Sequence, residues 1–292
     1  ADMSAGKSST LTAGSSCLEP AQFSKVKPMP DTLDSMNQAS RFARLFEPVR
    51  IGPVTAPNRF YQVPHCTGMG YGLPQTLAAM REIKAEGGWG VVNTEYCSVH
   101  PTSDDTPAPY CSLWDDCDVR NMAVMVEGVK RHGALAGVEL WHGGLRSSNL
   151  LSREVPLGPE SLPVYADPWQ SQRMDQSDIR AFRQWHRAAA LRAREAGFNI
   201  IYVYAAHTYL LAQFADAELN RRADSYGGNP ENRWRLVREL IEETREAVGE
   251  TCAIAIRIET DDERGGGQDE RRALFATLAP HLDLFNVTIS DY

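Results

Sequence analysis

The sequence of 292 residues has no apolar run that approaches the roughly 20 residues needed for a transmembrane helix. Its N-terminus also lacks the apolar core of a secretory signal, and the two absences together favour a cytoplasmic protein with no membrane partner. Positive charge is scarce, since 30 Lys and Arg stand against 38 Asp and Glu, for a formal net charge of −8. Because a surface that binds phosphate backbones needs excess positive charge, we expect no nucleic-acid partner.

The sequence is also poor in paired cysteines. It has six and no CxxC pair: Cys17, Cys66, Cys97, Cys111, Cys117 and Cys252. A chain of this length does not depend on a disulfide framework, so we expect mostly reduced thiols. Five residues separate Cys111 from Cys117 and no paired His accompanies them, so no metal site is predicted.

Two common catalytic motifs are missing. The run GGWG at 87–90 precedes a strand-like segment instead of following one, and GGG at 265–267 also stands in the wrong order for a dinucleotide-binding loop. No Ser occupies a nucleophile elbow, which argues against a Ser-His-Asp hydrolase. A globular protein remains, because the hydrophobic fraction of 42% can fill a sizeable core.

The chain divides into two parts by composition. Residues 1–43 are rich in Ser, Thr, Ala and Pro without an apolar period, which predicts a mobile tail. The domain is predicted to cover 44–292 and to open with a hairpin, because Gly52-Pro53 is a turn signal between short apolar runs. Six strand-like runs then alternate with helix-length stretches: RFYQV (59–63), WGVVNTEY (89–96), LAGVELW (135–141), NIIYVYA (199–205), CAIAIRI (252–258) and LDLFNVTI (282–289). This alternation predicts parallel β-α units.

The clearest helix is predicted to start at Asn229 and Pro230, an N-cap residue followed by Pro at the first helical position. Its apolar face would consist of residues at helical spacing: Trp234, Val237, Leu240, Ile241, Thr244 and Val248. This face is predicted to cover one side of the sheet.

Side-chain alternation favours a barrel over a doubly wound sheet. In CAIAIRI, Ala253, Ala255 and Arg257 share one face of the strand, whereas three Ile residues share the other. Gly137 and Glu139 likewise share one face of LAGVELW. Small residues that lead to a charged group suit a crowded barrel interior, so the predicted fold is an α/β TIM (β/α)8 barrel. About six β-α units are present before Tyr292, and we expect the barrel to be incomplete at its C-terminus.

Polar residues collect where the predicted strands end: His65, Cys66, Glu95, Tyr96, Glu139, His142, Tyr204, His207 and Arg257. From the residues alone, Cys66 is open to four interpretations, namely core filler, half of a disulfide, metal ligand or attachment point. Tyr204 and His207 are equally compatible with a structural pair. Arg257 is more informative, because a charge within an apolar strand requires a partner or a ligand.

Five segments resemble the old yellow enzyme family of FMN barrels, over about 44–292. They are LFEPVRIGPVTAPNRFYQVPHC, KAEGGWGVVNTEYCSVHPTSDD, GALAGVELWHGG, AGFNIIYVYAAHTYL and RRADSYGGNPENRWR. YGGNPENR is typical of the wider family, whereas VPHC and NTEYCS are similar to the branch that contains trimethylamine, dimethylglycine, N-methylproline and histamine dehydrogenases.

The resemblance implies a flavin site. The matching cysteine of the branch is bonded through sulfur to C6 of FMN, so Cys66 would be a covalent anchor, formed by attack of its thiolate. Arg257 matches an arginine beside flavin N1 and O2, and Glu139 stands where the wider family has a Gln on the pyrimidine edge. A carboxylate there can accept from N3–H. Pro64 and His65 would lie against the ring.

The resemblance also implies a substrate pocket. Tyr96 matches an aromatic wall that holds a methylated ammonium by cation–π attraction, and His142 is assigned to the same pocket. Tyr204 and His207 match the active-site Tyr and His of the branch. Because an amine gives up hydride readily only once its nitrogen is neutral, this pair would control the protonation of the amine.

Three functions follow as hypotheses. The first is an FMN-dependent amine dehydrogenase or demethylase that oxidises a secondary or tertiary methylated amine. The second is an NAD(P)H-dependent enoate or 2,4-dienoyl-CoA reductase of the same family, and the third is a catalytically silent barrel. The resemblance further implies an electron acceptor such as an electron-transfer flavoprotein, and it is compatible with a homo-oligomer. The iron-sulfur cluster expected in the branch has its ligands beyond this chain.

Overall fold

The computed structural model describes residues 41–105, 110–165, 167–259 and 267–289. The predicted tail at 1–43 therefore lies outside the described residues, apart from its last three. The strands in these ranges are β1 (Val49–Ile51), β2 (Val54–Ala56), β3 (Tyr61–Gln62), β4 (Val91–Ser98), β5 (Cys111–Ser112), β6 (Leu135–Trp141), β7 (Leu157–Gly158), β8 (Gln172–Arg173), β9 (Ile200–Ala205), β10 (Ala253–Glu259) and β11 (Leu284–Thr288).

The α-helices in the same ranges are α1 (Pro74–Glu86), α2 (Asp116–Arg131), α3 (Gln176–Glu195), α4 (Leu210–Ala215), α5 (Pro230–Arg233), α6 (Arg235–Val248) and α7 (Gly267–Leu278). Short 3-10 segments occur at Ala43–Phe46, Pro101–Ser103, Gly144–Arg146, Gly249–Thr251 and Ala279–His281. Of the helices that are described, none has the length and apolar character required to cross a membrane.

The main sheet has the strand order β11-β10-β9-β6-β4-β3, and every neighbouring pair is parallel. Strand β5 pairs with the end of β4, also in parallel. The sheet curls, with its strands in chain order and helices between them, as in the first six units of a (β/α)8 barrel. The predicted fold class is confirmed.

The alternation of side chains in β10 separates the barrel interior from the helix layer. Ala253 and Ala255 pack inside with Ile200 and Tyr202 of β9. The three Ile residues of β10 belong instead to the large core between sheet and helices. This arrangement confirms the predicted faces, because the interior is too crowded for bulky aliphatic residues on every strand.

The predicted hairpin is formed by β1 and β2, which are antiparallel and joined by Gly52-Pro53. Gly52 adopts φ +54°, a conformation that glycine accepts without strain. Ile51 and Ala56 pack against Ile200 and Ala253, the first residues of β9 and β10. The hairpin therefore lies at the amino-terminal end of the barrel, opposite the end where polar residues collect.

The predicted helix at Asn229 is present but divided. The Asn229 side chain caps α5 by accepting a hydrogen bond from the Asn232 N–H at 2.9 Å. Trp234, with φ −89° and ψ −2°, separates α5 from α6. The apolar face is buried as predicted, because all six of its named residues are inaccessible or nearly so.

Candidate active site

The carboxyl ends of β6 and β10 bring two predicted cofactor residues together. Arg257 Nη1 lies 3.5 Å from Glu139 Oε1 and donates a hydrogen bond to the Pro64 carbonyl at 3.1 Å. Pro64, Glu139 and Arg257 therefore converge at the mouth of the barrel. The Arg257 guanidinium also lies 5.6 Å from the centre of the Tyr204 ring.

Burial changes the expected charge of Glu139. Its pKa is raised to about 8 by burial, which the attraction of Arg257 only partly offsets. The side chain is 2% exposed, and Oε1 has no hydrogen-bond partner among the described residues. The raised pKa increases the protonated fraction of Glu139, and the protonated acid can donate as well as accept, as a Gln amide does.

Cys66 lies beside the carboxyl end of β4, partly exposed and in contact with the cluster that contains Tyr96 and Tyr204. Burial raises the pKa of its thiol, and Glu95, Glu139 and Asp105 reinforce this effect. The thiolate that the sequence interpretation invoked is therefore disfavoured here. Cys66 is a free thiol, and so are the other four cysteines in the described ranges.

Two buried charged residues fix the segment around Cys66. Glu95 accepts hydrogen bonds from the Thr67 N–H and hydroxyl and from the Gly70 N–H at 3.0 Å. Arg81 of α1 donates to the His65 carbonyl at 2.6 Å and lies 3.0 Å from His65 Nδ1. Burial and the nearby guanidinium lower the pKa of His65, so the imidazole remains neutral.

Sequence reasoning gave Glu95 no role and missed Arg81. A signal for Arg81 does exist, since it shares the buried face of α1 with Leu77, Ala78 and Ala85. A charged residue on such a face requires a partner at the strand ends that the helix covers.

An aromatic cluster adjoins Cys66. Tyr96 stacks on Trp141 with ring centres 4.3 Å apart and meets the edge of Tyr110 at 4.8 Å. Tyr209 lies 5.3 Å from Trp141 and 5.1 Å from Tyr204. Of these five aromatic residues, the sequence interpretation named only Tyr96 and Tyr204. Trp141 could have been found from strand parity, because it shares a face of β6 with Glu139.

Tyr204 and His207 form a direct pair. The Tyr204 hydroxyl lies 2.5 Å from His207 Nδ1. Burial, with the proximity of Glu139, raises the pKa of Tyr204, so the phenol keeps its proton and is the donor. The His207 N–H donates to the Glu259 carboxylate, and His207 Nε2 lies 3.5 Å from the Thr288 hydroxyl. The pair therefore joins the ends of β9, β10 and β11.

His142 is the predicted site residue that the structure does not bring to this cluster. Its Nε2 lies 3.1 Å from the Thr102 hydroxyl, and its Nδ1 accepts from the Gly144 N–H at 3.1 Å. The ring packs at 5.3 Å against Phe182 of α3, and burial lowers its pKa to about 3. A neutral His with both nitrogens engaged supports the loop after β6, and this geometry does not favour substrate contact.

These groups lie together at the carboxyl end of an α/β barrel, the end where barrel enzymes carry their active sites. The chain belongs to the NADH:flavin oxidoreductase / NADH oxidase family, whose model matches residues 44–285. It is 41% identical over 267 residues to dimethylamine dehydrogenase of Hyphomicrobium sp. (strain x), covering 88% of this chain and 36% of the relative.

Two further comparisons are with an amine oxidase structure and with an NADPH dehydrogenase. The structure of 6-hydroxypseudooxynicotine amine oxidase from Pseudomonas geniculata N1 has a TM-score of 0.83 and 45% identity, covering 86% of this chain and 39% of that one. NADPH dehydrogenase of Bacillus licheniformis is 30% identical over 232 residues, covering 77% of this chain and 66% of the relative. The chain thus spans less than two fifths of the two amine enzymes.

Proposed function

We propose that this chain carries the flavin and substrate site of an FMN-dependent enzyme that oxidises a secondary or tertiary methylated amine. One observation carries the proposal: the aromatic cluster, the Tyr204–His207 pair and Cys66 adjoin one another at the carboxyl end of the barrel. Aromatic rings favour a methylated ammonium over a neutral substrate. The similarity to dimethylamine dehydrogenase and to an amine oxidase supports the same class.

The residues at the barrel mouth fit a flavin. The buried Glu139 Oε1 has no hydrogen-bond partner among the described residues, and a ring that presents a polar edge could provide one. Arg257 supplies a positive charge beside the same edge. When bound, FMN supplies the hydride acceptor. Glu139, Arg257 and the Pro64–Cys66 segment would hold it, with Cys66 as covalent anchor.

The chain's own residues act on the amine and its protons. The aromatic cluster binds the methylated nitrogen, and the Tyr204–His207 pair biases that nitrogen toward its neutral form. Loss of hydride from the carbon beside a neutral nitrogen gives an iminium ion, which water hydrolyses to a carbonyl compound, a smaller amine and a proton. Tyr204 keeps its own proton, so His207 is the member of the pair that can exchange one.

Anaerobic reduction of the bound flavin tests the proposed function. We expect dimethylamine or another methylated amine to bleach the flavin absorbance, whereas NADH and NADPH leave it unchanged. Rapid bleaching by either nicotinamide, with no response to a panel of secondary and tertiary amines, would favour the reductase alternative. The similarity to an NADPH dehydrogenase makes this comparison necessary.

The anchor role of Cys66 has a separate test. After acid precipitation we expect the flavin to stay with the protein, and Cys66→Ala to release it to the supernatant. Cys97→Ala, which removes a fully buried thiol from the same strand-end region, is the matched control and should retain covalent flavin. Release of free flavin from the unmodified protein would show that Cys66 is an ordinary thiol.

A further inference from the structure

Asp105 lies next to the aromatic cluster and has a different environment from its neighbour Asp104. The Tyr96 hydroxyl donates a hydrogen bond to Asp105 Oδ2. Among the residues that the structure describes, this is the hydrogen bond that the Asp105 carboxylate receives. Asp105 also borders a narrow crevice together with Tyr96, Tyr110 and Trp141.

The contacts of Asp104 hold Asp105 beside Tyr96. Asp104 Oδ2 accepts from the N–H groups of Leu151 and Ser152 at 2.7 and 2.8 Å. Its own N–H donates to Asn149 Oδ1 at 2.8 Å. Asp104 thus ties the backbone to the 149–152 loop, and the next side chain is directed to Tyr96.

In the described part of the chain, Tyr96 and Asp104 are the groups that act on the charge of Asp105, and no Lys, Arg or His is among them. Burial and the neighbouring Asp104 raise the pKa of Asp105 to about 6, although the hydrogen bond from Tyr96 lowers it. Near pH 7 the carboxylate form still predominates. A partly buried anion beside aromatic rings favours the entry of an organic cation, since both attract positive charge.

We propose that Asp105 is a specificity-determining residue, whose carboxylate acts with the rings of Tyr96, Tyr110 and Trp141 to select a small methylated ammonium in its cationic form. This inference rests on the proposed function and names the charge state in which the amine enters. A neutral compound of the same shape would gain the ring contacts and lose the ionic attraction. The proton must then leave the nitrogen before oxidation, on the side of the cluster where Tyr209 meets Tyr204.

A pair of isosteres tests the proposal without turnover. Choline and 3,3-dimethylbutan-1-ol have nearly the same shape, but only choline is charged, and its quaternary nitrogen has no lone pair to support oxidation. Calorimetry on the flavin-loaded protein should show choline bound at least about 10-fold more tightly than the alcohol. Asp105→Asn should reduce this preference by about 10-fold and leave the affinity for the alcohol unchanged.

Two further variants serve as controls. Asp105→Glu keeps the charge and should retain a clear preference for choline. Glu127→Gln removes one negative charge from the outer face of α2, where the side chain is 79% exposed, and should leave the preference unchanged. If Asp105→Asn does not fold, Asp105→Ser provides a second neutral variant and should lose the preference for choline to the same extent.

The preference should also fall as the pH is lowered through about 6, because Asp105 then becomes protonated. Among the described residues, the other titratable groups near it are Tyr96, Tyr110, Asp104 and Cys66. Burial raises the pKa of Tyr96 and of Cys66, so both stay protonated over this range. Asp105→Asn should remove the pH dependence.

Equal affinity for choline and the alcohol in the unmodified protein would overturn the proposal, as would an undiminished preference in Asp105→Asn. The outcomes for the proposed function are separate. If no amine bleaches the flavin but choline selectivity still depends on Asp105, the cation site stands and the oxidation fails. If amines bleach the flavin with no dependence on Asp105, the oxidation stands and the inference fails.

Discussion

Among single residues, His207 and Thr208 have a strained backbone conformation. Both residues adopt the left-handed conformation, with φ +56° and +53°, although neither is glycine. Each such residue costs on the order of 1 kcal/mol, so the surrounding contacts must over-determine it. Here the Glu259 carboxylate accepts from the His207 N–H and Gln213 Nε2 donates to the Thr208 carbonyl at 2.7 Å. Retained strain beside the Tyr204 hydroxyl is consistent with a catalytic His207.

His207→Gln and Tyr204→Phe should therefore lower the limiting rate of flavin reduction by about 10- to 10⁴-fold and shift its pH dependence. The flavin spectrum should remain intact, because neither side chain belongs to the proposed flavin contacts. Single-turnover reduction by amine, per bound flavin, from about pH 6 to about pH 10 measures both effects.

His132→Gln is a suitable control for this pair, since His132 lies near the surface at 3.4 Å from Glu82. Its rate and pH profile should equal those of the unmodified protein. A structural role for Tyr204 and His207 predicts lost stability or flavin content at an unchanged rate per site. Full rates with unshifted profiles in both variants would contradict the catalytic assignment.

At the scale of elements, the hairpin of β1 and β2 depends on one glycine. A Cβ at Gly52 would lie 2.3 Å from Cγ of Asp283, whose carboxylate accepts from the Ile254 N–H and pairs with Arg245 at 2.5 Å. Gly52→Ala would also require an unfavourable positive φ. We expect it to lower the free energy of unfolding by about 1–3 kcal/mol.

Urea denaturation measures this effect, with Gly72→Ala as the matched control. A Cβ at Gly72 meets no atom within 4 Å, and its φ is outside the positive range. The control should therefore change the free energy of unfolding by no more than about 0.5 kcal/mol. Equal stability of the two variants would show that the hairpin is not seated against Asp283 as described.

A second element-scale feature is a register shift in β4. Asn93 pairs with Gly137 of β6, but Tyr96 pairs with Glu139. The step from one pair to the next is therefore three residues in β4 and two in β6, which is a β-bulge. Without this bulge, strict alternation would place Glu95 on the face of Asn93 and Tyr96 on the opposite face. The bulge is what lets Tyr96 join the aromatic cluster while Glu95 binds the 67–70 segment.

At the scale of the whole molecule, protection should vary across the sheet. Every residue of β9 is buried, and the strand is paired on both sides. Strand β11 is at one end of the described sheet, its residues are partly exposed, and Val287 is 48% exposed. Backbone amides in β11 therefore open with a lower free energy than those in β9.

Hydrogen exchange measured by mass spectrometry on this 292-residue chain compares the backbone amides of β4, β6, β9, β10 and β11. Exchange should be slowest in β9 and β6 and fastest in β11. Peptides from α3, whose amides bond within the helix, provide an internal reference for a buried element. Equal protection of β9 and β11 would mean that β11 is covered in solution by something beyond the described residues.

The sequence by itself determined the order of strands and helices, the inward and outward faces of β10, and the hairpin at Gly52. These follow from local rules, because a period of two or 3.6 residues and the conformation of a single glycine depend on neighbours along the chain. It also indicated Pro64, Cys66, Glu139 and Arg257, through their positions at strand ends and the family resemblance.

Only the tertiary structure decided which of these groups meet and in which charge state. Burial, which no local pattern reports, raises the pKa of Glu139 and of the Cys66 thiol. Contacts with Thr102 and Gly144 place His142 away from the aromatic cluster. Arg81 and Asp105 gained their partners from elements that fold against them, and the bulge in β4 changed the face of Tyr96. The physical reason is the same in each case: solvation and long-range contacts depend on chain segments that lie far apart in sequence.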